Sequence, residues 1–211
     1  MCQECGGSGF SNLRPGVTRL REELEAAAQR PVAAVTAADA VPLPAADVYV
    51  GTEAVLHRVE AADVVAFLDF DRELLAPRYR ADEQAMTLLT KAARLLGPRR
   101  RGGRLMVQTF LPHHDVIQAA LLADPARLLD AERRRRELLD LPPAAALASV
   151  SGRGSDEVAR QLRVVDGFTV GGDADHYLVS APSWDQLGRA IIDADRPKGS
   201  RVRVAVDPPR A

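Results

Sequence analysis

Apolar residues in the first half of the chain show two kinds of spacing. Helical spacing covers residues 16–30 and 81–96, and in the second segment Met86, Leu89, Ala93 and Leu96 share one face. Strands are predicted at 32–36, 48–50, 64–70 and 104–110. The runs at 48–50 and 64–70 are continuous, as in strands buried on both faces of a parallel sheet. Strands that alternate with helices predict a parallel α/β fold for this half.

The pattern changes after residue 115. Helices are predicted at 115–122 and 125–139, and the prolines of Leu141-Pro-Pro143 end the second. Strands at 144–151, 167–170, 176–180 and 201–206 and helices at 155–162 and 183–193 then follow in the order β-α-β-β-α-β. Gly171-Gly-Asp173 predicts a hairpin turn, and Ser183 with Gln186 a capping box. This order is typical of a small ferredoxin-like, split βαβ domain of the α+β class.

Composition limits the possible classes of function. The 211 residues, 46% of them hydrophobic, are enough for one large or two small domains with real cores. The net charge of −1 gives no global argument for nucleic-acid binding, although arginines cluster locally. The sequence has no apolar run of transmembrane length and no signal-peptide core. A cytoplasmic protein without a membrane partner is therefore predicted.

Two residue types limit the cofactors. The only cysteines, Cys2 and Cys5, can face one metal ion, but zinc takes four ligands. The chain as it stands is predicted to hold no cofactor, with zinc possible only if the missing cysteines are supplied; the alternative is two unligated thiols. Half a metal site also suggests a truncated reading frame. The only lysines follow Thr90 and Pro197, so neither Lys91 nor Lys198 lies in the Gly-Lys-Ser/Thr sequence of a P-loop.

Several segments occur together in one order. They are Cys2-Gln-Glu-Cys-Gly6, Tyr49-Val-Gly-Thr52, Phe67-Leu-Asp-Phe-Asp71, Tyr79-Arg-Ala-Asp-Glu83, Gly103-Arg-Leu-Met-Val-Gln-Thr109 and Pro142-Pro143. In order and spacing they resemble the C-terminal part of the PriA family of replication-restart helicases (primosomal protein N′). The resemblance implies a zinc-knuckle remnant at 1–12, a partial RecA-like second helicase lobe at 13–124, a helical connector at 125–143 and a ferredoxin-like domain at 144–211.

The chain departs from the family where nucleotide is handled. The lysine–glycine core that follows the Gly-Thr motif in active members is replaced by Glu53-Ala-Val-Leu-His57. The stretch 91–98 replaces the motif that supplies arginine fingers, each worth roughly three to five orders of magnitude in rate. We therefore predict no ATPase activity and no catalytic residues, as in degenerate, non-helicase forms of the family from high-GC Gram-positive bacteria. Five residues are interpreted as remnants of the nucleotide motifs: Gly51, Thr52, Asp69, Asp71 and Arg94.

These remnants also have structural explanations. The Gly-Thr pair suits a simple turn, and the two aspartates suit the polar end of a strand. His113 and His114 are adjacent, which favours a loop or helix cap over a metal site. Trp184 is interpreted as a core residue.

The resemblance also implies partners. These are branched or single-stranded DNA, bound weakly, the C-terminal tail of single-stranded DNA-binding protein, and other primosome proteins, in a nucleoid-associated location. Candidate DNA contacts are Arg99, Arg100, Arg101, Arg133, Arg134 and Arg136, although the second cluster also suits a solvated helix face. Candidates for docking the tail are Arg189, Arg196 and Arg201. The alternative, favoured by the near-neutral charge, is a protein-interaction module or gene remnant without DNA affinity.

Overall fold

The computed structural model describes residues 16–38 and 42–208, which form a mixed α/β structure. The elements before residue 110 are α1 (Val17–Ala28), β1 (Val32–Val35), β2 (Val48–Gly51), α2 (Val55–Arg58), β3 (Val64–Phe67), α3 (Asp71–Leu74), α4 (Ala81–Leu96), a 3₁₀ turn (Arg99–Arg101) and β4 (Arg104–Val107). The later elements are α5 (Asp115–Leu121), α6 (Arg127–Leu138), β5 (Ala146–Ser151), α7 (Ser155–Leu162), β6 (Thr169–Asp173), β7 (His176–Ala181), α8 (Trp184–Asp193) and β8 (Arg203–Val206). No helix in these two ranges is long and apolar enough to cross a membrane.

The chain divides into two compact units. The first unit takes the described residues up to Ala66 together with Thr90–Met106, and the second takes Phe67–Leu89 and the described residues from Val107 onward. The predicted boundary at Leu141-Pro-Pro143 does not coincide with this division. It concerns independent folding, and it stays a prediction.

The first unit contains a short parallel pair of strands. β1 pairs with β2 in parallel, with Val32 opposite Val48 and Val35 opposite Gly51. Val32, Val35 and Val50 are buried. β3 and β4 pair separately as a second two-stranded sheet.

The prediction that the run at 64–70 is buried on both faces is wrong. β3 ends at Phe67, and exposed residues alternate with half-buried ones along both β3 and β4. Val64 is 54% exposed and Met106 57% exposed. A continuous apolar run cannot by itself distinguish a central strand from a strand with a single neighbour.

The second unit has a four-stranded antiparallel sheet in the order β6-β7-β5-β8. β5 lies between β7 and β8, with Val150 opposite Tyr177 on one side and opposite Val204 on the other. The core forms where α7 and α8 cover the sheet. Its buried members are Ala146, Ala148, Val150, Val158, Leu162, Val179, Ala181, Leu187 and Ile191. The strands and helices of the predicted βαββαβ order therefore share one core.

Local signals in this part are mostly accurate. Ser183 caps α8, and its hydroxyl accepts a hydrogen bond from the Gln186 amide at 3.3 Å, which confirms the serine half of the predicted capping box. The hairpin turn lies at residues 174–175, not at Gly171-Gly-Asp173, which belong to β6. Gly172 pairs with Tyr177 in the hairpin, and a Cβ on it would lie 2.3 Å from the His176 carbonyl oxygen. The glycine is therefore explained by a close approach between strands.

A network of charges joins α6 to the start of α4 within the second unit. Arg136 donates to Glu132 at 3.2 Å and to Glu83 at 2.6 Å, and its guanidinium lies 5.5 Å from the ring centre of Tyr79. The Arg136 side chain is only 9% exposed and that of Glu132 7%. Burial raises the pKa of Glu132, and the neighbouring Arg135 and Arg136 oppose that rise.

Arg135 extends the network towards the first turn of α4. One of its Nη atoms donates to Asp82 at 3.1 Å and to Glu132 at 2.6 Å. Asp82 is itself buried. Two of the four consecutive arginines are therefore committed to contacts inside the second unit.

Replacing Arg136 with alanine is expected to lower the free energy of unfolding by about 3 kcal/mol. This is the low end of the usual cost of breaking a buried ion pair, because Arg135 would still contact Glu132. Urea unfolding followed by circular dichroism measures the change. Arg134→Ala, on the exposed side of the same helix, is the matched control and should change stability by less than about 0.5 kcal/mol. Equal stability of the two variants would contradict the structural role of Arg136.

A chain limited to residues 144–211 is expected to fold cooperatively but with low stability. Its core lies entirely within that range, whereas Tyr79 and Arg80, which bond the Asp207 carboxylate, lie outside it. A sigmoidal thermal melt with dispersed amide NMR signals would support independent folding. A disordered spectrum would place the folding boundary elsewhere.

Candidate functional site

The Gly-Thr pair at the end of β2 lies against β1. A Cβ on Gly51 would lie 1.9 Å from the carbonyl oxygen of Val35. No larger residue fits there without moving the strand. Thr52 begins the turn into α2: its carbonyl accepts from Val55 and its hydroxyl accepts from Ala54 at 3.5 Å. Both residues therefore have structural roles in this turn.

An ion pair occupies the surface next to this turn. The Lys91 ammonium donates to Glu53 at 2.6 Å and lies 3.1 Å from Nε2 of His57. Nε2 of His57 also lies 3.4 Å from Oε1 of Glu53. The hydrogen bond from Lys91 lowers the pKa of Glu53, against the opposing effect of burial. Sequence patterns could not reveal this group, because 38 residues separate its lysine from its glutamate.

The stretch that replaces the arginine-finger motif is helical up to Leu96. Residues 91–96 form the last turns of α4. The next residue, Gly97, has a left-handed backbone conformation. Leu96 is buried, and a Cβ on Gly103 would lie 2.9 Å from the Cβ of Leu96. Arg94 is exposed on this helix.

The two aspartates after β3 lie in a turn and a helix, not at a strand end as predicted. Asp69 has a left-handed backbone with φ of 55°, and Asp71 is the first residue of α3. The carboxylate of Asp71 accepts from the Thr109 hydroxyl and from the Phe110 amide, the latter at 3.0 Å. Asp71 therefore fastens the start of α3 to the segment after β4.

The first arginine cluster is exposed. Arg99, Arg100 and Arg101 form the 3₁₀ turn, which lies between two glycines with positive φ, Gly97 and Gly102. The described part of the chain offers no acidic partner to any of the three. Their charges are therefore accessible to a ligand.

The second cluster is only half available. Arg133 and Arg134 are both exposed. The Arg133 guanidinium lies 3.5 Å from the Asp130 carboxylate, and the Arg134 guanidinium donates to the Asp130 backbone carbonyl at 3.2 Å. Arg136 is buried in the network with Glu132 and Glu83, so it is removed from the candidate surface. Helical periodicity could not reveal this, because the partner of Arg136 on α4 lies 53 residues away.

The three docking candidates lie in and after α8. Arg189 pairs with Asp185 at 2.9 Å on the exposed face of the helix. Arg196 and Arg201 are exposed in the segment between α8 and β8. Trp184 is 41% exposed, so its interpretation as a core residue is wrong. It shares helical spacing with Gly188, which has no neighbour near its Cβ position, and with exposed Ile192.

The metal-binding residue types form no centre among the residues described. No group of three or more His, Cys, Asp or Glu side chains there could hold a metal ion. Cys2 and Cys5 lie outside the described residues. The ring of His114 caps α5 and accepts a hydrogen bond from Val116 at 3.3 Å, which confirms the interpretation of this histidine as a cap.

Comparison with known proteins identifies related chains. No protein-family model matches. The replication restart protein PriA of Chlamydia pneumoniae is 33% identical over 100 residues, which is 46% of this chain and 13% of that protein. The proteins of the same name from Bacillus subtilis and Thermotoga maritima are 29% and 25% identical over 117 and 185 residues.

The longest of these matches covers 77% of this chain. The chain spans only 13% to 25% of the length of these relatives. The matches agree with one another in the name of the relative. Over the matched stretches the chain is therefore similar to the replication restart protein PriA of several bacteria.

Proposed function

We propose that this chain is a replication-restart protein that binds DNA and docks a partner without hydrolysing ATP. One observation carries the loss of hydrolysis: the ion pair of Lys91 with Glu53 beside the Gly51-Thr52 turn. In the resemblance to PriA, residues 51–57 and 91–98 correspond to nucleotide-handling motifs. Here they contact each other through a carboxylate and a lysine, and a carboxylate repels the phosphates of a nucleotide.

The backbone supports the same conclusion. The arginine-finger motif needs glycines so that a turn can approach phosphate, and this chain has Leu95, Leu96 and Pro98 there. The segment is helical up to Leu96. Arg94 alone cannot replace a motif that presents arginines from a glycine-rich turn.

The architecture we propose is a partial RecA-like lobe followed by a ferredoxin-like domain. The parallel pairing of β1 with β2 supports the first assignment. The sheet order β6-β7-β5-β8, with every neighbouring pair antiparallel and two helices covering the sheet, supports the second.

Exposed arginines support DNA binding. Arg99, Arg100 and Arg101 have no acidic partner in the ranges described, and Arg133 and Arg134 extend from the side of α6 that faces solvent. No aromatic residue lies within either cluster in the sequence, so contacts to phosphate outweigh base stacking. The proposed ligands are branched or single-stranded DNA, bound weakly and without sequence preference.

The exposed face of α8 supports partner docking. A tail that ends in a carboxylate needs a cation and an apolar notch. Arg189 follows Gly188, whose bare backbone lies between Trp184 and Ile192 along the helix. We assign this face to the C-terminal tail of single-stranded DNA-binding protein, with Arg196 and Arg201 as further candidate cations, and we propose a cytoplasmic, nucleoid-associated location.

A second candidate is a protein-interaction module without DNA affinity. The net charge of −1 and the internal pairing of Arg135 and Arg136 favour it. The two functions differ in how binding depends on salt, since only phosphate contacts release counterions from DNA.

Phosphate release from ATP is expected to equal a buffer blank, with or without forked DNA, because the phosphate-handling residues are absent. A coupled enzymatic assay on highly purified protein measures it. Arg94→Ala is the control: release that falls in this variant would be intrinsic to the chain and would contradict the proposal. Release that is unchanged by the substitution but follows the chain through gel filtration would contradict the proposal equally, whereas release that elutes apart from the chain comes from a contaminant.

Forked DNA is expected to bind with a dissociation constant of about 10⁻⁶ to 10⁻⁴ M near physiological salt, the range of non-specific contacts. Removing one phosphate-binding arginine should reduce the slope of log K against log salt by about 0.7 to 0.9. Fluorescence anisotropy of the double variants Arg99→Ala/Arg100→Ala and Arg133→Ala/Arg134→Ala tests both clusters. The double variant Arg19→Ala/Arg30→Ala, at two exposed arginines paired with Glu23 and Asp47, makes the same change in net charge and is the control. Slopes equal to that of the unaltered protein in both double variants would remove these arginines from the DNA contacts, and an absence of salt-dependent binding would favour the interaction module.

A further inference from the structure

A concavity in the second unit lies between two loops. One loop joins β5 to α7, and the other precedes β8. The cavity has a volume of about 260 Å³. Its lining residues are Arg153, Gly154, Pro197, Lys198, Gly199 and Ser200. Two of the six are basic and none is acidic.

Hydrogen bonds fix the two loops against each other. The Arg201 amide donates to the Arg153 carbonyl at 2.9 Å, and the Arg153 guanidinium donates to the Gly199 carbonyl at 2.6 Å. Within the second loop, the Ser200 amide donates a hydrogen bond to the Pro197 carbonyl at 3.0 Å. The cavity walls are therefore formed before any ligand arrives.

Glycine is required where the loops meet. Gly152 has φ of 91°, and a Cβ there would lie 2.5 Å from the Arg201 carbonyl oxygen. Gly154 has φ of 93°, and its Cβ would lie 2.8 Å from the side chain of Ser200. Any side chain at these positions would strain the backbone and push the loops apart, which would destroy the cavity.

The charges at the cavity favour an anion. Lys198 has no acidic partner in the part of the chain that the structure describes. Gly154 precedes the first turn of α7, where amide groups and the helix dipole attract negative charge. The acids of that turn, Asp156 and Glu157, do not line the cavity, and both contact Arg160.

The shape of the cavity bears on the choice of anion. It is open to solvent, so a phosphate that enters it can remain part of a longer chain. A lysine ammonium provides a compact charge, and a glycine loop allows close approach of backbone amides to phosphate. These features match one phosphate of a longer chain whose other groups remain outside the cavity.

We propose that the cavity binds one phosphate group of a nucleic-acid backbone, with Lys198 as its counter-charge and the β5–α7 loop as its wall. The proposal rests on the proposed DNA-binding function and adds a specific site to it. Arg153 acts mainly as a positioning residue, because its guanidinium already holds the Gly199 carbonyl. Sequence reasoning missed this site, although the Gly152-Arg-Gly154 sequence between a predicted strand and a predicted helix was a visible signal.

The chain offers a matched pair of substitutions, because it contains only two lysines. Lys198→Ala should reduce the slope of log K against log salt for single-stranded DNA by about 0.7, the value of one phosphate contact. Lys91→Ala makes the same change in net charge at a lysine that already pairs with Glu53, and it should leave the slope unchanged. Fluorescence anisotropy with the full chain measures both. An unchanged slope in Lys198→Ala, or equal decreases in the two variants, would overturn the proposal.

Chemical protection provides a second measurement that needs no substitution. An amine-reactive acylating reagent, read out by mass spectrometry, should modify Lys198 more slowly when single-stranded DNA is bound and should modify Lys91 at the same rate. Protection of Lys198 by a polyglutamate peptide but not by DNA would overturn the assignment in favour of an acidic protein partner.

Inorganic phosphate separates failure of the site from failure of the proposed function. NMR titration of the full chain with phosphate should shift the amide signals of Gly154, Lys198 and Gly199 whether or not DNA binds elsewhere. Phosphate shifts without any DNA binding would overturn the nucleic-acid assignment and leave a small-anion site. DNA binding through other residues, with no phosphate shift and no protection of Lys198, would overturn the site and keep the proposed function.

Discussion

The ion pair of Glu132 with Arg136 is the constraint on which the surface of α6 depends. Two opposite charges withdrawn from water must stay together, because either one alone would be costly to bury. Glu83 and Asp82 on α4 supply further carboxylates, so α6 can face α4 in only one rotation. That rotation turns Arg133 and Arg134 towards solvent. The exposure of Arg133 and Arg134 is therefore a consequence of the burial of the Glu132–Arg136 pair.

The motif-like positions of the chain have internal explanations. Gly51 makes room for the β1 backbone, and Asp71 fastens α3 to the segment after β4. Lys91 is held by Glu53. None of these contacts requires a nucleotide. Similarity to PriA therefore does not require that these residues bind a nucleotide, since packing alone suffices to explain residues that resemble motifs.

Elements defined by local chemistry could be predicted from the sequence. The limits of α4 and α7 agree with their apolar spacing, and the cap of α8 follows from a serine three residues before Gln186. Features that depend on distant partners could not be predicted. Residues elsewhere in the chain decide where β3 ends and where the turn after β6 lies. They also decide that Arg136 is buried and that Lys91 is paired. The same holds for the cavity beside α7, whose two walls are 44 residues apart at Gly154 and Lys198.

The contact of Tyr79 and Arg80 with Asp207 has a consequence for the order in which the protein assembles. The tyrosine and the aspartate are 128 residues apart. A ribosome releases the segment before α4 long before it makes Asp207. Closing so long a loop costs entropy that only contacts formed afterwards can offset. The second unit therefore completes its fold only after Asp207 has been made, whereas the β1–β2 pair of the first unit needs no strand residue beyond Gly51.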